Sequence, residues 1–226
     1  MKLKRLVTFG DSWPAGAELS NVRDAFPVQI AKILNIEYFN AAVPATGIDQ
    51  ACYYFLQDLN NYKPDTYNWF DKSNRFDDII LFCLSGSTRS WHFKDGTDKE
   101  ITPLNKTIES KMYYSYLYTD KLAEINLIKN VIIVQQLCKS NNIPCYIVTN
   151  WEKLPDNQHI DQKFVYNKTL LGILGLGHLD PDDNHELDLS GDFKTSPYIY
   201  PNISHPNILG HKIIAEELAN WIKSFD

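Results

Sequence analysis

The fold is decided by a stretch near the N-terminus, Leu3-Lys4-Arg5-Leu6-Val7-Thr8-Phe9-Gly10-Asp11-Ser12-Trp13-Pro14-Ala15-Gly16. Its apolar first half predicts a short buried strand. Gly10-Asp11-Ser12 then places a hydroxyl at the carboxyl end of a sheet, where open α/β folds bind their ligands. The same residue types are also typical of an ordinary turn after a strand. His205, near the other end of the chain, favours the first interpretation, because an early serine and a late histidine can form a catalytic pair.

Three further apolar runs follow this first strand, and helical patterns separate them. The predicted strands are Leu3 to Phe9, Ile36 to Asn40, Asp78 to Leu84 and Pro144 to Asn150. The predicted helices are Ala25 to Leu34 with Asp24 as N-cap, Ile48 to Leu59, Thr119 to Asn141, a short one from Lys163 to Leu174, and a terminal one through Ile222. Strands that alternate with helices predict an α/β fold with a mostly parallel sheet covered on both faces.

The chain is expected to form one domain. Its 226 residues contain no linker-like tract, so the predicted domain covers residues 1–226. Three regions are rich in polar, aromatic and turn-forming residues, at about 60–76, 85–110 and 151–200. We expect them to be long loops around the active end of the sheet.

The composition excludes several classes of protein. The net charge is −6 and the 22 basic residues form no stripe, which disfavours a nucleic-acid partner. No apolar run approaches the roughly 18 residues of a membrane span, and the run after Met1 is too short for a signal peptide. We therefore expect a cytoplasmic protein without a membrane partner, which cell lysis could release. The cysteines lack metal-type spacing and are expected to be buried thiols: Cys52, Cys83, Cys138 and Cys145.

Both ends of the chain carry motifs that resemble those of the SGNH, or GDSL-type, hydrolases. Gly10-Asp11-Ser12 is similar to the first block of that family, and Asn202-Ile203-Ser204-His205-Pro206 is similar to the last block, Asp-x-x-His. The resemblance implies a flavodoxin-like three-layer α/β/α sandwich and ester hydrolysis, with Ser12 as nucleophile and His205 as base. A rival base, His211, lies inside the terminal helix and is expected to be structural.

Asn202 departs from the family pattern, because it stands where the family has the acid that orients the histidine. An amide can hold the imidazole in the wrong tautomer, which lowers turnover about ten-thousand-fold in a serine protease. Three outcomes stay open: another acid orients His205, a Ser-His dyad acts on activated esters, or the protein binds without cleaving. The acids in the preceding region are Asp180, Asp182, Asp183, Asp188 and Asp192.

The oxyanion hole implied by the resemblance differs from the family pattern at two of its three donors. The amide of Ser12 is the first donor. Ala42 stands where the family has a glycine, and an alanine still offers its N–H. Ser87 falls nearest to the family's side-chain amide if Ser85 stands for the glycine of that block. Its hydroxyl can donate one hydrogen bond.

Three further residues are expected beside the substrate. Asp11 also fixes the turn before Ser12 by accepting neighbouring amides. Arg89 either points its guanidinium into the site, where it would meet a developing charge or an anionic substrate, or forms a surface salt bridge. Trp91 belongs to the aromatic residues of the loop regions, which can stack on sugar rings.

The sequence predicts neither a metal nor a cofactor. The acidic run that starts at Asp180 has His185 and Gly191 where an EF-hand needs glycine and glutamate. His178 and His185 have no third zinc ligand nearby in sequence. A nucleotide or flavin site of the flavodoxin type would need a phosphate cradle, and Asp11 stands where the phosphate would lie.

Two hypotheses of function therefore remain. The leading one is a serine hydrolase that cleaves a small carboxylic ester, for instance an acyl or acetyl group on a carbohydrate. Its rival is an SGNH-fold carbohydrate-binding or structural protein, such as a phage or surface component, with a weakened site. The first needs a small-molecule or glycan ester as partner, and neither hypothesis specifies the oligomeric state.

Overall fold

The main sheet consists of parallel strands in a doubly wound order. A computed structural model describes residues 5–59, 78–87, 89–94, 97–101, 106–176, 195–200 and 205–225. The elements are β1 (Arg5–Phe9), α1 (Ser12–Ala15), α2 (Phe26–Leu34), β2 (Glu37–Asn40), α3 (Ile48–Leu59), β3 (Asp78–Leu84), β4 (Ser90–Lys94), β5 (Thr97–Ile101), α4 (Ile108–Tyr116), α5 (Asp120–Ser140), β6 (Cys145–Thr149), β7 (Val165–Thr169), α6 (Leu170–Ile173) and α7 (Ile208–Lys223). In these residues five parallel strands pair in the order β2-β1-β3-β6-β7. This is the 2-1-3-4-5 order of flavodoxin-like sheets.

Strand β3 shows why the sheet is buried on both faces. All seven of its residues are buried, and successive side chains of a strand point to opposite faces. Ile79 and Leu81 pack with residues of α2 and α7, whereas Ile80 and Phe82 pack with residues of α3 and α5. The helices therefore form one layer on each face, and the predicted α/β/α sandwich is confirmed.

An ion pair joins the amino ends of β1 and β3. Arg5 Nε and Nη2 donate to the two carboxylate oxygens of Asp78 at 3.0 and 2.6 Å. The same two residues are partners in the strand register. Because a guanidinium and a carboxylate that meet at two points are held in one geometry, this contact supports the parallel register at the end of the sheet opposite to Ser12.

One predicted helix is wrong. The pattern from Lys163 to Leu174 predicts a single helix, but residues 165–169 form strand β7, and only the four residues of α6 that follow are helical. Val165 pairs with Ile147 of β6. Pairing with the edge of the sheet therefore overrides the helical spacing of the apolar residues.

The regions predicted as loops contain regular structure as well. Strands β4 and β5 pair as an antiparallel hairpin, and α4 begins at Ile108, so the expectation of a loop is wrong for these parts of residues 85–110. Tryptophan and phenylalanine in β4 favour a strand. The third region contains β7 and α6, and residues 60–76 lie outside the described residues. Asp24 belongs to a short 3-10 turn, and Ala25 is the N-cap of α2.

The four cysteines are free and buried, as predicted. Burial raises the pKa of Cys83, and a contact with Cys138 together with burial raises the pKa of Cys145, so both thiols stay protonated at neutral pH. Within the described ranges, no helix is long and apolar enough to span a membrane.

His211 connects the two helices on one face of the sheet. Its ring lies in α7 and is 1% exposed. Nδ1 accepts the backbone N–H of Phe26, the first residue of α2, at 3.2 Å, and the two rings stack. Burial, and then the charge of His205, lowers the pKa of His211 to about 4. The ring is therefore neutral at pH 7 and has the structural role that its place in the helix predicts.

Replacing Phe55 should test the packing between the sheet and α3. Phe55 is fully buried and meets Phe9 and Phe82 edge-on, with ring centroids 5.4 and 6.2 Å apart. We expect Phe55→Ala to lower the free energy of unfolding by about 3–5 kcal/mol, measured by urea denaturation, because it leaves a cavity. Tyr116→Ala is the matched control, since Tyr116 is 81% exposed. Equal stability of the two variants would contradict this packing.

His211 should make the fold sensitive to acid. A histidine whose pKa is lower in the folded state contributes stability above pH 6.5 that is lost as the pH falls towards 4. His211→Asn keeps an acceptor near Nδ1 but does not titrate. Between pH 7 and pH 4.5, wild type should therefore lose roughly 2–3 kcal/mol of unfolding free energy more than the variant, measured by urea denaturation. Parallel curves for the two proteins would refute the role of His211.

Candidate active site

The structure brings together the predicted nucleophile and the predicted base. Ser12 is the first residue of α1, directly after β1, and His205 precedes α7. Ser12 Oγ and His205 Nε2 lie 2.8 Å apart, although the two residues are 193 positions apart in the chain. This distance permits proton transfer between the hydroxyl and the ring.

The sharp turn that presents Ser12 depends on Gly10. Gly10 has a φ of +150°, and a Cβ at this position would lie 2.7 Å from the carbonyl oxygen of Cys83. Asp11 then caps α1, because its side chain accepts the N–H of Trp13 at 3.1 Å. As the first helical residue, Ser12 has an N–H without an acceptor inside the helix. The turn thus presents a hydroxyl and a backbone donor at the same residue.

A pair of antiparallel backbone segments holds His205. Tyr200 donates its N–H to the carbonyl oxygen of His205 at 2.8 Å, and Asn207 donates to the carbonyl oxygen of Tyr198 at 2.9 Å. The Asn207 side chain also caps α7 by accepting the N–H groups of Leu209 and Gly210 at 3.0 and 3.1 Å. The base is therefore attached to a helix N-terminus through a short rigid connection.

Asp11 is a buried carboxylate surrounded by donors. The residue is 1% exposed. Besides the Trp13 N–H, it accepts two hydrogen bonds from Asn150 Nδ2, at 2.9 Å to Oδ1 and 3.0 Å to Oδ2. Arg89 Nη1 lies 3.7 Å from Oδ2. Burial raises the pKa of Asp11, while Arg89, the Trp13 amide, Asn150 and the charge of His205 act in the opposite direction.

The contact with Asp11 decides between the two predicted positions of Arg89, in the site or in a surface salt bridge. Its side chain is 25% exposed and pairs with Asp11, which is almost inaccessible to solvent. The contact is therefore an ion pair inside the candidate site and not a surface salt bridge. Gly47 lies against Arg89. A Cβ at position 47 would be only 3.3 Å from the Cβ and from the carbonyl oxygen of Arg89. The loops after β2 and β3 thus meet at this arginine.

Three consecutive residues after β6 line the site, and the motif comparison missed all of them. Asn150 binds Asp11, the Trp151 ring meets the Trp13 ring edge-on at 4.9 Å, and the Glu152 carboxylate binds Ser87. A signal for these residues was present in the sequence, since Asn150 ends a predicted strand and the other two residues directly follow it. Side chains at the carboxyl ends of parallel strands gather at one edge of the sheet.

Both donors of Ser87 are engaged by Glu152. The Ser87 hydroxyl donates to Oε2 at 3.0 Å, and its backbone N–H donates to Oε1. Burial raises the pKa of Glu152, and the two contacts with Ser87 lower it. A serine hydroxyl has one proton to donate. A contact between the Ser87 hydroxyl and a substrate oxygen would therefore require it to leave Glu152.

Ala42 lies in a loop that is attached to the turn before Ser12. The neighbouring Val43 donates its N–H to the carbonyl oxygen of Gly10 at 3.0 Å. Ala42 donates its own N–H to Asn40 Oδ1 at 3.3 Å, and Asn40 Nδ2 donates to the carbonyl oxygen of Pro14 at 2.6 Å. The 3.3 Å contact is long for a hydrogen bond to a backbone amide. A stronger acceptor could therefore replace Asn40.

Several predicted site residues lie outside the described residues. They include Asn202 and all the acids considered in its place. Trp91 belongs to β4, but its side chain is not among the described parts. The acidic run and its two histidines are also outside. In the described ranges, no three His, Cys, Asp or Glu side chains lie together as metal ligands would.

Solved structures share this fold at low sequence identity. The acetyl xylan esterase Est2A from the rumen bacterium Butyrivibrio proteoclasticus is similar over 100% of this chain and 65% of its own, with a TM-score of 0.55 and 11% identity. A family two carbohydrate esterase from Clostridium thermocellum, in complex with cellohexaose, is similar over 98% of this chain and 64% of its own, with a TM-score of 0.52 and 13% identity. TesA is similar over 99% of this chain and 100% of its own, with a TM-score of 0.50 and 12% identity. No protein-family model and no curated protein matches the chain.

The similarity to these structures concerns the whole arrangement of sheet and helices. The chain spans about two thirds of each of the two carbohydrate esterases, 65% and 64%. At such low identity, structural similarity defines a fold and not an activity. The flavodoxin-like strand order agrees with it, as does the position of Ser12 at the carboxyl end of β1. The chain has the fold of the SGNH hydrolases.

Proposed function

We propose that this protein is a serine hydrolase that cleaves a small carboxylic ester. The observation that carries the proposal is the 2.8 Å distance between Ser12 Oγ and His205 Nε2. The pair lies at the carboxyl end of a parallel sheet, which is where open α/β folds carry out their chemistry. The SGNH fold supports the same reaction class, because its solved relatives include esterases.

In the proposed reaction His205 accepts a proton and gives one up again in each of two steps. Ser12 Oγ attacks the ester carbonyl carbon while Nε2 takes the hydroxyl proton, and the carbonyl oxygen becomes an oxyanion. The carbon–oxygen bond to the alcohol then breaks, and the alcohol leaves with the proton from Nε2. Water attacks the resulting acyl-enzyme, gives a proton to Nε2 and releases the carboxylic acid. Ser12 recovers its proton from the ring.

The oxyanion would be bound by the N–H groups of Ser12 and Ala42, with the Ser87 hydroxyl as third donor. The Ser12 amide has no acceptor within α1. The Ala42 amide would exchange its long contact with Asn40 for the oxyanion, because a charged acceptor forms the stronger bond. The Ser87 hydroxyl would turn from Glu152 towards the substrate.

Asn202 would act beside His205 as a neutral partner. An amide cannot stabilise the imidazolium as a carboxylate does, so we expect slow turnover on unactivated esters. Esters with good leaving groups need less proton transfer to the departing alcohol. We therefore expect Ser12 and His205 to hydrolyse activated esters faster than unactivated ones.

A carbohydrate ester is the substrate class that we propose. Two solved relatives are a carbohydrate esterase bound to cellohexaose and an acetyl xylan esterase. Trp91 would stack on a sugar ring, and Arg89 and Asp11 would line the site as an ion pair. Since Arg89 is already paired with a carboxylate, a neutral acylated sugar fits the site better than an anionic one.

Replacing Ser12 tests the nucleophile directly. Ser12→Ala should abolish hydrolysis of p-nitrophenyl acetate and covalent labelling by a fluorophosphonate probe, because the Ser12 hydroxyl is the group that accepts the acyl group in the proposed reaction. Ser20→Ala is the matched control, since Ser20 is exposed and close in the chain. Unchanged hydrolysis in Ser12→Ala would refute the proposal. No labelling of the wild type, together with retained glycan binding, would favour the carbohydrate-binding alternative.

Replacing Ser87 tests the third oxyanion donor. Ser87→Ala should lower kcat by roughly 100-fold with little change in KM, because an oxyanion donor acts mainly in the transition state. Ser87→Thr keeps the hydroxyl and should retain most of the activity. An unchanged kcat in Ser87→Ala would restrict Ser87 to its structural contact with Glu152.

A further inference from the structure

We propose that an open groove at the edge of the sheet, between β7 and α7, is a second carbohydrate site that binds a neutral oligosaccharide chain. Its volume is about 490 Å³, within the range of roughly 300–1,000 Å³ that is usual for ligand sites. The glycan part of the proposed ester substrate is one ligand of this kind. That link rests on the proposed function, whereas binding in the groove can be measured without hydrolysis. The groove is lined by residues of both elements, among them Tyr166, Asn167, Lys168, Glu217, Asn220 and Trp221.

The groove is separate from the candidate active site. His205 lies just before the first residue of α7, and Trp221 lies about 20 Å further along this helix. In the part of the sheet that the structure describes, β7 has β6 on one side and no strand on the other. The groove is therefore open along the sheet edge, and a chain bound there can extend beyond both of its ends.

Two aromatic rings form a rigid wall of the groove. The ring centroids of Tyr166 and Trp221 are 4.9 Å apart, and the Trp221 ring also contacts Tyr146 at 5.2 Å and Phe225 at 5.8 Å. Rings that are held from several sides lose little freedom when a ligand binds. A sugar ring has apolar C–H groups on its faces, so it can pack against such an aromatic surface.

Polar groups beside this wall can bind sugar hydroxyl groups. Tyr166 Oη and Lys168 Nζ both donate to Glu217 Oε1, at 2.6 and 2.9 Å, which fixes the carboxylate. Among the described residues, Glu217 Oε2 and the exposed side-chain amides of Asn167 and Asn220 have no hydrogen-bond partner. An amide donates and accepts, and a carboxylate oxygen accepts. These groups match a hydroxyl, which also donates and accepts.

The charges in the groove favour a neutral ligand. Lys168 Nζ and Glu217 Oε1 form an ion pair at 2.9 Å. Hydrogen bonds from Tyr166 and Lys168 lower the pKa of Glu217, so the carboxylate stays ionised at neutral pH. The two opposite charges leave no excess positive charge for a polyanion such as a nucleic acid, which binds mainly through positive side chains.

A strand of another protein molecule is the alternative occupant of a free sheet edge. Strand β7 has only five residues, and Lys168 is exposed on it. Short edge strands and lysine side chains are features by which natural sheets avoid pairing with another chain. The aromatic wall and the unpartnered amides therefore favour a glycan over a protein strand.

The experiment combines a glycan array with NMR. The protein is first screened against neutral linear oligosaccharides that include cellohexaose and xylohexaose. The best binder is then titrated while the indole N–H resonance of Trp221, assigned with Trp221→Phe, is followed. We expect this resonance to shift as the sugar binds. Asn167→Ala combined with Asn220→Ala should weaken the affinity by about 10-fold, because the hydrogen bonds of both amides are lost.

Gln136→Ala is the matched control. Gln136 also carries an exposed side-chain amide, but it lies on α5, on the other face of the sheet. Its replacement should leave the affinity unchanged.

Three results would overturn the inference, even if Ser12→Ala were inactive. They are no binding to any sugar of the array, binding that leaves the Trp221 resonance in place, and a dimer that the double variant disrupts without any sugar binding. The last result would assign the sheet edge to a second copy of the chain. Sugar binding in the groove, together with hydrolysis that does not need Ser12, would support the inference and refute only the proposed function.

Discussion

The parallel alignment of β1 with β3, and of β3 with β6, is the constraint on which the candidate site depends. Because the three strands run in the same direction and are buried on both faces, their carboxyl ends meet at one edge. Each strand then contributes the residues that follow it: Ser12 after β1, Ser87 after β3 and Asn150 after β6. A shift of one residue in register would turn every strand side chain to the opposite face. The core therefore holds the site in place.

The sequence was sufficient for most of the fold, because its buried strands carry uninterrupted apolar runs. Strand β3 is the clearest case, since all of its residues are buried and the run predicts its limits correctly. The same approach failed for β7. That strand lies at the edge of the sheet with half-buried and exposed residues, so its apolar spacing is ambiguous. Only its pairing with β6 determines its structure, and pairing between distant segments is not visible in local periodicity.

The site was predictable where a single residue has one chemical role, and unpredictable where contacts between loops decide the role. Ser12 and His205 were identified from short motifs, and the structure brings them together. Ser87 was identified by position alone, and position could not reveal that Glu152 accepts both of its donors. Likewise Asp11 was expected beside the substrate, but Asn150 and Arg89 surround it. Each of these contacts joins loops that are far apart in the chain.

Two buried aspartates show how the same chemistry can have different purposes in one sheet. Asp78, at the amino end, meets Arg5 through two short contacts in the strand register, so its charge is matched within the packing of the sheet. Asp11, at the carboxyl end, has Arg89 only at 3.7 Å and relies on amide donors. Its charge is therefore less completely compensated, and burial raises its pKa. Asp78 contributes to the packing of the sheet, whereas Asp11 joins the turn before Ser12 to the residues that follow β3 and β6.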